Sequence, residues 1–377
     1  MKLWPFIPES DMQETLEWRT EVLRSRNGEQ RIALRFYPRT TLTMDYILES
    51  DEFFKSSLLV KNHSLEPFYL PFWKEGTHVG SLISADDTIP LDTTNKRFKG
   101  KALLLDNDDS YQVVDISQIN PNDLVLTEPL GRPFINAFVV PLGDFKLTRP
   151  LEVKKGPEDY YEAKARFIST DDYDFTGTVN YPTHLGEYVL TDRPVTKSGV
   201  TDKFEREFSI LDNETGNIWY TPDFDYPIAT SQMSWINIHP DELYEIRRFL
   251  AYLKGKQGQF WVPSWNADFV LTQDILAADD FLVVKDNNIR DYLDSLHVAV
   301  VMKDGTFFFR KVTSIEFYIG FEKLMIDPLG EDILASDVDR VCNLVLMRSD
   351  ADKINIKYRA AGGSEVKIPL MEVPHGL

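Results

Sequence analysis

The chain contains a single cysteine, Cys342, among its 377 residues, so it can form no intrachain disulfide and no cysteine-based zinc site. Basic residues are scarce: 41 Lys and Arg stand against 60 Asp and Glu, and the formal net charge is −19 at pH 7. Binding to nucleic-acid phosphates or to an anionic membrane needs a basic surface, so neither is expected. No apolar run approaches the roughly 18 residues of a membrane-spanning helix, and residues 1–11 lack a signal-peptide pattern. These absences predict a soluble, untargeted protein of a reducing compartment.

Motifs that mark catalysis are also missing. The sequence has no Gly-x-Ser-x-Gly elbow, no phosphate-binding glycine loop and no dinucleotide fingerprint. The histidines show no HExxH-type spacing; they are His63, His78, His184, His239, His297 and His375. We therefore predict no catalytic residue, no cofactor and no metal site. A hydrolase with two acidic catalytic residues stays open, because sequence cannot show whether two carboxylates face one cleft.

Aromatic residues are abundant, with 24 Phe, 16 Tyr and 7 Trp in a composition that is 43% apolar. This content excludes a disordered chain, and at about 150 residues per domain the length predicts two or three domains. Segments of the first half also recur in the same order in the second half, which indicates an internal duplication. The matched segments are Phe68–Trp73 with Phe260–Trp265, Ala85–Asp87 with Ala278–Asp280, and Leu124–Gly131 with Leu324–Gly330.

A helix is predicted before each aromatic segment. In the second half Pro240 suits the first turn and Gly255 the C-terminal stop. Its apolar face is formed by Leu243, Ile246, Phe249, Leu250 and Leu253. The first half has a weaker version with Ser50 as the N-cap, followed by Phe53, Phe54 and Leu58. One helix per copy is therefore expected.

β-Hairpins are predicted at matching places in both halves. Asn27-Gly28 is typical of a type I′ turn between strands at 22–26 and 31–36, and its counterpart joins 204–211 to 218–220 through 212–216. After the aromatic segments, hairpins are expected at 102–105 with 111–116 and at 298–302 with 307–312.

The predicted fold class is mainly β: two duplicated antiparallel β domains, each with about one short helix, joined by an irregular connector. The expected divisions are residues 1–149 for the first domain, 150–199 for the connector, 200–359 for the second domain and 360–377 for an extended C-terminal arm. The connector includes Asp171–Asp174 and Lys197–Gly199, and a strand around Lys164–Ser169 is expected to cross between the copies.

Two segments invite a ligand hypothesis. Phe68–Trp73 could stack against sugar rings, but aromatic residues around a proline are more typical of a half-buried edge strand in the core. Asp106–Asp109 offers oxygen ligands for calcium, but it lacks the spacing of an EF-hand. Its counterpart Lys303–Gly305 keeps the turn without the acids, so a solvated hairpin tip is the better interpretation.

Arginines gather in the first hairpin despite the acidic composition. They are expected to form a subunit interface and are Arg19, Arg24, Arg26, Arg31, Arg35 and Arg39. Arg24, Arg26 and Arg35 are candidates for ion pairs with the acidic surface of a neighbouring subunit, because guanidinium groups bind carboxylates through two parallel hydrogen bonds. The alternative is a solvated strand face.

Several of these segments together resemble a family of virion proteins. Glu17–Leu23, Asn27–Arg35, Leu211–Gly216, Arg248–Leu250 and Gly258–Trp265 are similar to tailed-bacteriophage structural proteins of the tail or distal-tail (tail-tip) type. The resemblance spans roughly residues 14–350 and leaves the connector and the C-terminus unmatched.

The resemblance implies a non-enzymatic component of the virion tail, assembled in the host cytoplasm. Such a protein forms a homo-oligomeric ring, a hexamer or alternatively a trimer, between tail tube protein and hub or fibre proteins. It binds no specific nucleic-acid sequence, although DNA passes through the ring, and we expect part of the acidic excess to line that lumen. A duplicated β protein is also compatible with a carbohydrate-binding module or adhesin, which would be a monomer and not a symmetric oligomer.

Overall fold

A computed structural model describes most of the chain. The described residues are 1–9, 12–26, 28–106, 110–156, 159–171, 175, 177–195, 201–224, 228–237, 239–287, 296–359 and 363–373. Several residues named above lie outside these ranges: Asn27 of the hairpin turn, 107–109 of the candidate calcium loop, 172–174 and 197–199 of the connector, and His375.

The described residues are mainly β, with large antiparallel sheets and two α-helices, which confirms the predicted fold class. The helices are α1 (Ser50–His63) and α2 (Pro240–Leu253), and 3₁₀ turns lie at Trp73–Glu75 and Ala335–Asp337. The strands of the first half are β1 (Lys2–Leu3), β2 (Met12–Ser25), β3 (Gly28–Leu48), β4 (Phe68–Pro71), β5 (Thr77–Leu82), β6 (Thr88–Pro90), β7 (Lys101–Leu105), β8 (Tyr111–Asn120), β9 (Asp123–Leu126), β10 (Phe134–Leu147), β11 (Glu152–Lys155) and β12 (Tyr161–Ser169). Then follow β13 (Thr183–His184), β14 (Glu187–Tyr188), β15 (Thr201–Glu205), β16 (Phe208–Asp212), β17 (Ile218–Pro222), β18 (Ile228–Asn237), β19 (Gln259–Pro263), β20 (Phe281–Lys285), β21 (His297–Met302), β22 (Phe307–Lys311), β23 (Ser314–Tyr318), β24 (Phe321–Met325), β25 (Val338–Ser349), β26 (Lys353–Tyr358) and β27 (Ser364–Glu372).

The two helices occupy matching places in the two halves but differ in how much of their apolar face is buried. In α2 every residue of the predicted apolar face is buried, and the helix ends at Lys254 in the left-handed conformation with φ of 52°. In α1 the N-cap is Glu49 and not Ser50: Glu49 and Glu52 form a reciprocal capping box, which satisfies two backbone N–H groups of the first turn. Phe54 and Leu58 are exposed, so α1 buries less apolar surface than its sequence predicts.

The strand registers repeat between the halves. Leu142 of β10 lies opposite Pro71 of β4, and Leu344 of β25 lies opposite Pro263 of β19. The registers of two further strand pairs also correspond. Thr41 of β3 lies opposite Ile168 of β12, and Thr230 of β18 lies opposite Met371 of β27. The hairpins β7–β8 and β21–β22 also share one register, with Lys101 opposite Asp115 and His297 opposite Lys311. Equivalent segments therefore hold equivalent positions.

One antiparallel sheet runs through both halves in the order β11–β12–β3–β2–β26–β27–β18–β15. The halves meet where β2 pairs with β26, from Met12 opposite Tyr358 to Glu17 opposite Lys353. We call this pairing the joint. The joint places a strand from the beginning of the chain beside a strand from near its end. The connector contributes no strand to this pairing.

The main hydrophobic core lies under this continuous sheet and is shared by both halves. It includes Leu16, Met44, Phe68, Phe249 and Phe260. Two smaller cores lie in lobes inserted at equivalent points, one around Leu104 and Leu124 in the first half and one around Val300 and Leu324 in the second. The long strands β10 and β25 each pair with a strand of one lobe, β7 or β21, and continue into the main sheet, so they connect each lobe to that sheet.

Two expectations for the connector and C-terminus need correction. β12 does not cross between the copies: among the described strands it pairs with β3, β10 and β11, all of the first half. Residues 364–372 are not an extended arm but a central strand between β18 and β26. Alternating Val366, Ile368 and Leu370 are fully or almost fully buried there, and this period-2 pattern was hidden by the flanking Gly362-Gly363 and Pro369.

The aromatic segments belong to the core, as their composition predicts. Phe68, Leu70, Phe260 and Val262 are at most 1% exposed, which leaves no sugar-stacking platform at these positions. β4 is not an edge strand, however, because β1 pairs with it in parallel on the side away from β10.

Replacing Phe249 by Ala should destabilise the protein by about 3–5 kcal/mol, because a fully buried ring leaves a cavity. Phe249 packs edge-on against Tyr181 and Phe260, each at a centroid distance of 5.0 Å. The matched control is Phe54→Ala on α1, where the ring is 61% exposed and the loss should stay within about 0.5 kcal/mol. Denaturant unfolding measures both; equal losses would contradict this account of the core.

Candidate assembly surface

A buried charge network holds the joint together. Glu14 of β2 has no exposed surface and accepts hydrogen bonds from Arg97 at 2.5 Å, Arg247 at 2.5 Å and the Tyr358 hydroxyl at 2.6 Å. Arg97 also donates to Glu75 of the 3₁₀ turn at 2.7 Å through Nε. The first half supplies Glu14, Glu75 and Arg97, whereas α2 and β26 of the second half supply Arg247 and Tyr358. Two acids thus balance two arginines across the boundary.

The electrostatics of this network favour the ionised form of Glu14. Burial alone would raise the pKa of Glu14, but the nearby guanidinium groups of Arg247 and Arg97 lower it to about 2. Arg97 also lies over the ring of Phe72, with its guanidinium carbon 3.8 Å from the centroid. A buried network of this kind stabilises only when complete, since loss of one partner leaves an unpaired charge out of water.

Beyond the joint, β2 and β3 continue as a two-stranded arm, residues 19–25 and 28–35, which we call the first hairpin. It lies on the second half of its own chain. Glu29 forms two hydrogen bonds with Arg348 of β25, at 2.6 and 3.1 Å, and both side chains are almost fully buried. Thr20 N–H donates to the Asp352 carboxylate at 2.6 Å, and Arg31 donates to Gln259 at 2.6 Å. These contacts fix the first hairpin on the second half. We call the surface formed by Gln259, Arg348 and Asp352 the seat of the hairpin.

The six predicted arginines differ in their contacts within the chain. Arg24 reaches Met371 and Glu207, and Arg35 donates to the Glu17 carbonyl at 2.9 Å, so these two and Arg31 have partners within the chain. Arg19, Arg24, Arg26 and Arg39 are exposed, and Arg26 also has an interaction within the chain. Their role in a subunit interface stays a prediction. Glu29 and Arg348, which sequence reasoning did not single out, make the stronger pair because both are desolvated.

A second hairpin, β16–β17 (Phe208–Pro222), stands at the place that corresponds to the first hairpin. It follows β15 and precedes β18 just as the first hairpin continues β2 and β3. Its large apolar side chains are exposed, among them Phe208, Ile210, Leu211, Trp219 and Tyr220. Contiguous exposed apolar residues on a two-stranded ribbon mark a surface for association, since such a ribbon gains little stability by itself.

The continuous sheet has two open edges. Among the described residues, β11 pairs only with β12 and β15 pairs only with β18. Both strands thus present unpaired backbone groups, which are templates for another strand. Phe204 of β15 is 81% exposed at this edge.

The two edges differ in charge. On the polar face of the sheet next to β11, Arg149, Lys164, Arg166 and Lys353 line a shallow groove of about 230 Å³ together with Glu152. Lys146 is exposed on β10 nearby. Around β15 and the second hairpin the exposed charges are mostly acidic, namely Asp202, Glu205, Asp212, Glu214 and Asp223. Opposite charges at opposite ends of one sheet favour head-to-tail contact between copies.

Metal-ligating side chains are not clustered in the described part of the chain. There, no three His, Cys, Asp or Glu side chains lie where they could hold a metal ion. His184 and His297 form a buried pair, Nε2 to Nδ1 at 2.9 Å, against Trp261. Burial and, less strongly, Arg310 lower the pKa of His184 to about 4, so this imidazole is neutral near pH 7. No helix in the described ranges is long and apolar enough to cross a membrane.

Comparison with known protein families found no family model that matches this chain, and comparison with curated proteins found no matching sequence. Function must therefore be inferred from the chain's own residues.

Replacing Glu14 by Gln should lower the free energy of unfolding by about 3–5 kcal/mol, because two buried arginines would then face one carboxylate. The control is Glu21→Gln, on the exposed face of the first hairpin, for which a change within about 0.5 kcal/mol is expected. Urea unfolding at neutral pH compares the two. A loss for Glu14→Gln no larger than the control would mean that the network does not hold the joint.

The stabilisation by Glu14 should also depend on pH. Its folded pKa of about 2 lies below the ordinary value of 4.5, so the contribution is complete above pH 4.5 and is lost as the pH falls towards 2. We expect the stability gap between the wild type and Glu14→Gln to narrow over this interval. A gap that stays constant down to pH 2 in urea unfolding would contradict the ionised state assigned to Glu14.

Proposed function

We propose that this chain is a non-enzymatic structural subunit that assembles into a closed ring in the tail of a bacteriophage, at the distal end where tube meets hub or fibres. The observation that carries the proposal is the duplicated sheet with two open, unlike edges. The phage context comes from the resemblance of Glu17–Leu23, Asn27–Arg35 and Gly258–Trp265 to tail proteins.

Unlike edges lead to a ring by simple geometry. When one edge of a subunit binds the other edge of the next, the contact is heterologous, and it either closes into a ring or continues as a filament. A tail component needs closure around the tail axis. Each chain carries two units with one register, so three chains supply six units. The resemblance to tail proteins implies a sixfold tail tube, and we therefore propose three chains, with six as the alternative.

The polar face of the continuous sheet, opposite the main core, is suited to a channel wall. Its charges form cross-strand pairs: Lys154 with Glu162 at 3.1 Å, Lys164 with Asp45 at 3.2 Å. The basic side chains on this face are Arg39, Lys154, Lys164, Arg166, Lys203, Lys353, Lys357 and Lys367; the acidic ones are Glu17, Asp45, Glu152, Glu162, Glu205 and Glu365. This mixture is not the acidic lining expected from composition. Most of its bases lie beside acids, so the basic stretch that DNA phosphates would meet is confined to the groove lined by Arg149, Lys164, Arg166 and Lys353.

A carbohydrate-binding module or adhesin is the second candidate, and one observation favours it. Trp219 and Tyr220 are 66% and 62% exposed on the second hairpin, where a pyranose ring could stack. In that case the chain should remain a monomer, bind glycans on an array, and lose that binding in Trp219→Ala.

Native mass spectrometry of the purified chain tests the proposal. We expect a closed species of three chains, favoured as protein concentration rises. Six chains would keep the ring but contradict the count of repeats. A monomer at every concentration, with glycan binding that depends on Trp219, would favour the adhesin.

A further inference from the structure

We propose that β15 of one copy pairs antiparallel with β11 of the next, in the register that β2 and β26 adopt within the chain. The inference rests on the proposed ring and names the surfaces that close it. Its basis is the duplication: every neighbour of the joint has a counterpart, but the counterpart of the joint itself is left open at the two sheet edges.

The register follows from the strands that flank the joint. Leu16 of β2 lies opposite Thr40 of β3, and Phe204 of β15 lies opposite Ala229 of β18. Since β3 and β18 hold equivalent positions, Phe204 is the counterpart of Leu16. On the other side, Asn355 lies opposite Lys367 as Glu152 lies opposite Lys164. Leu151 is therefore the counterpart of Ile354.

The pair at the centre of the joint shows what this contact buries. Leu16 and Ile354 lie opposite each other and are 0% and 1% exposed. Their counterparts Phe204 and Leu151 are apolar as well, although Phe204 is 81% exposed in the single chain. Leu151 is half-buried and packs against the edge of the main core. Placing Phe204 opposite Leu151 of the next copy would extend that core across the subunit boundary.

The residue pair next to Phe204 and Leu151 is also complementary between the two copies. In the joint, Thr15 donates a hydrogen bond to Asn355 at 2.9 Å. The counterparts of these residues are Lys203 and Glu152, which carry opposite charges and would face each other across the new pair of strands. A neutral hydrogen bond inside the chain is thus replaced by an ion pair between copies.

In this pairing the second hairpin would lie on the first half of the next copy. The first hairpin already lies in the same way on the second half of its own chain. The counterpart of Arg348 is Lys146, and that of Asp352 is Arg149, so the basic seat meets the acidic Asp212 and Glu214 of the incoming hairpin. Tyr220 lies on the same face of the second hairpin as Asp212, so burial in this seat would account for its exposure in a single chain.

Disulfide trapping tests the register. The full chain carrying Phe204→Cys and Leu151→Cys should form chain-to-chain disulfides under mild oxidation, seen as linked dimers and a closed species on non-reducing gels. The native Cys342 is 0% exposed and should add no background. The control pairs Phe204→Cys with Glu152→Cys, a slip of one residue that places the two thiols on opposite faces of the sheet. It should form at most a tenth of the linked product.

The outcomes separate this inference from the proposed function. A ring by native mass spectrometry without disulfides in the first variant would overturn the pairing and leave the ring standing. A protein that never oligomerises would overturn both. Equal trapping by the two variants would overturn the register.

A single substitution gives an independent test. Phe204→Asp should abolish the oligomer and leave the thermal midpoint of the monomer unchanged, because the side chain is exposed there. Ile319→Asp, at a fully exposed turn of the second lobe, should leave the oligomer intact. An oligomer that survives Phe204→Asp would overturn the proposal.

Discussion

The contact between Glu14 and two arginines is the constraint on which the rest of the architecture depends. A carboxylate without exposed surface is tolerable only with its charge balanced and its hydrogen bonds made. Arg97 comes from the first half and Arg247 from the second, so the balance exists only when the halves are docked. Docking in turn sets β2 beside β26 in one register, and that register makes two β units into one continuous sheet.

The same network breaks the symmetry of the duplication. Asp202 stands at the position of Glu14, but the eighth residue of α1 is Ser57 where α2 has Arg247, and Lys155 replaces Tyr358. The second copy of the joint therefore lacks the buried charge network, and its two strands cannot meet inside one chain because they lie at opposite ends of the sheet. Both strands remain as open edges. A chain that satisfies one joint internally and leaves one open is a unit prepared for head-to-tail assembly.

Local and repeated features of this fold can be predicted from sequence, whereas contacts between distant charges cannot. The α2 face from Leu243 to Leu253 and the hairpins that follow each aromatic segment have periodicities readable within a few residues. Residues 364–372 were harder, because glycine and proline around a buried strand suggest a loop. Glu14, Arg97 and Arg247 lie far apart in a chain rich in charge, and nothing local distinguishes a buried carboxylate from an exposed one. The open edges also required the structure, since an edge is defined by which strands are neighbours.

Electron microscopy of the purified chain tests the central claim, that two duplicated units per chain close into a ring through their open edges. The account predicts closed rings with three-fold symmetry, six similar units in projection, and an unbroken wall of strands in which the link between chains resembles the joint within each chain. Single particles without closure, or rings whose subunits touch only through the two inserted lobes, would contradict it.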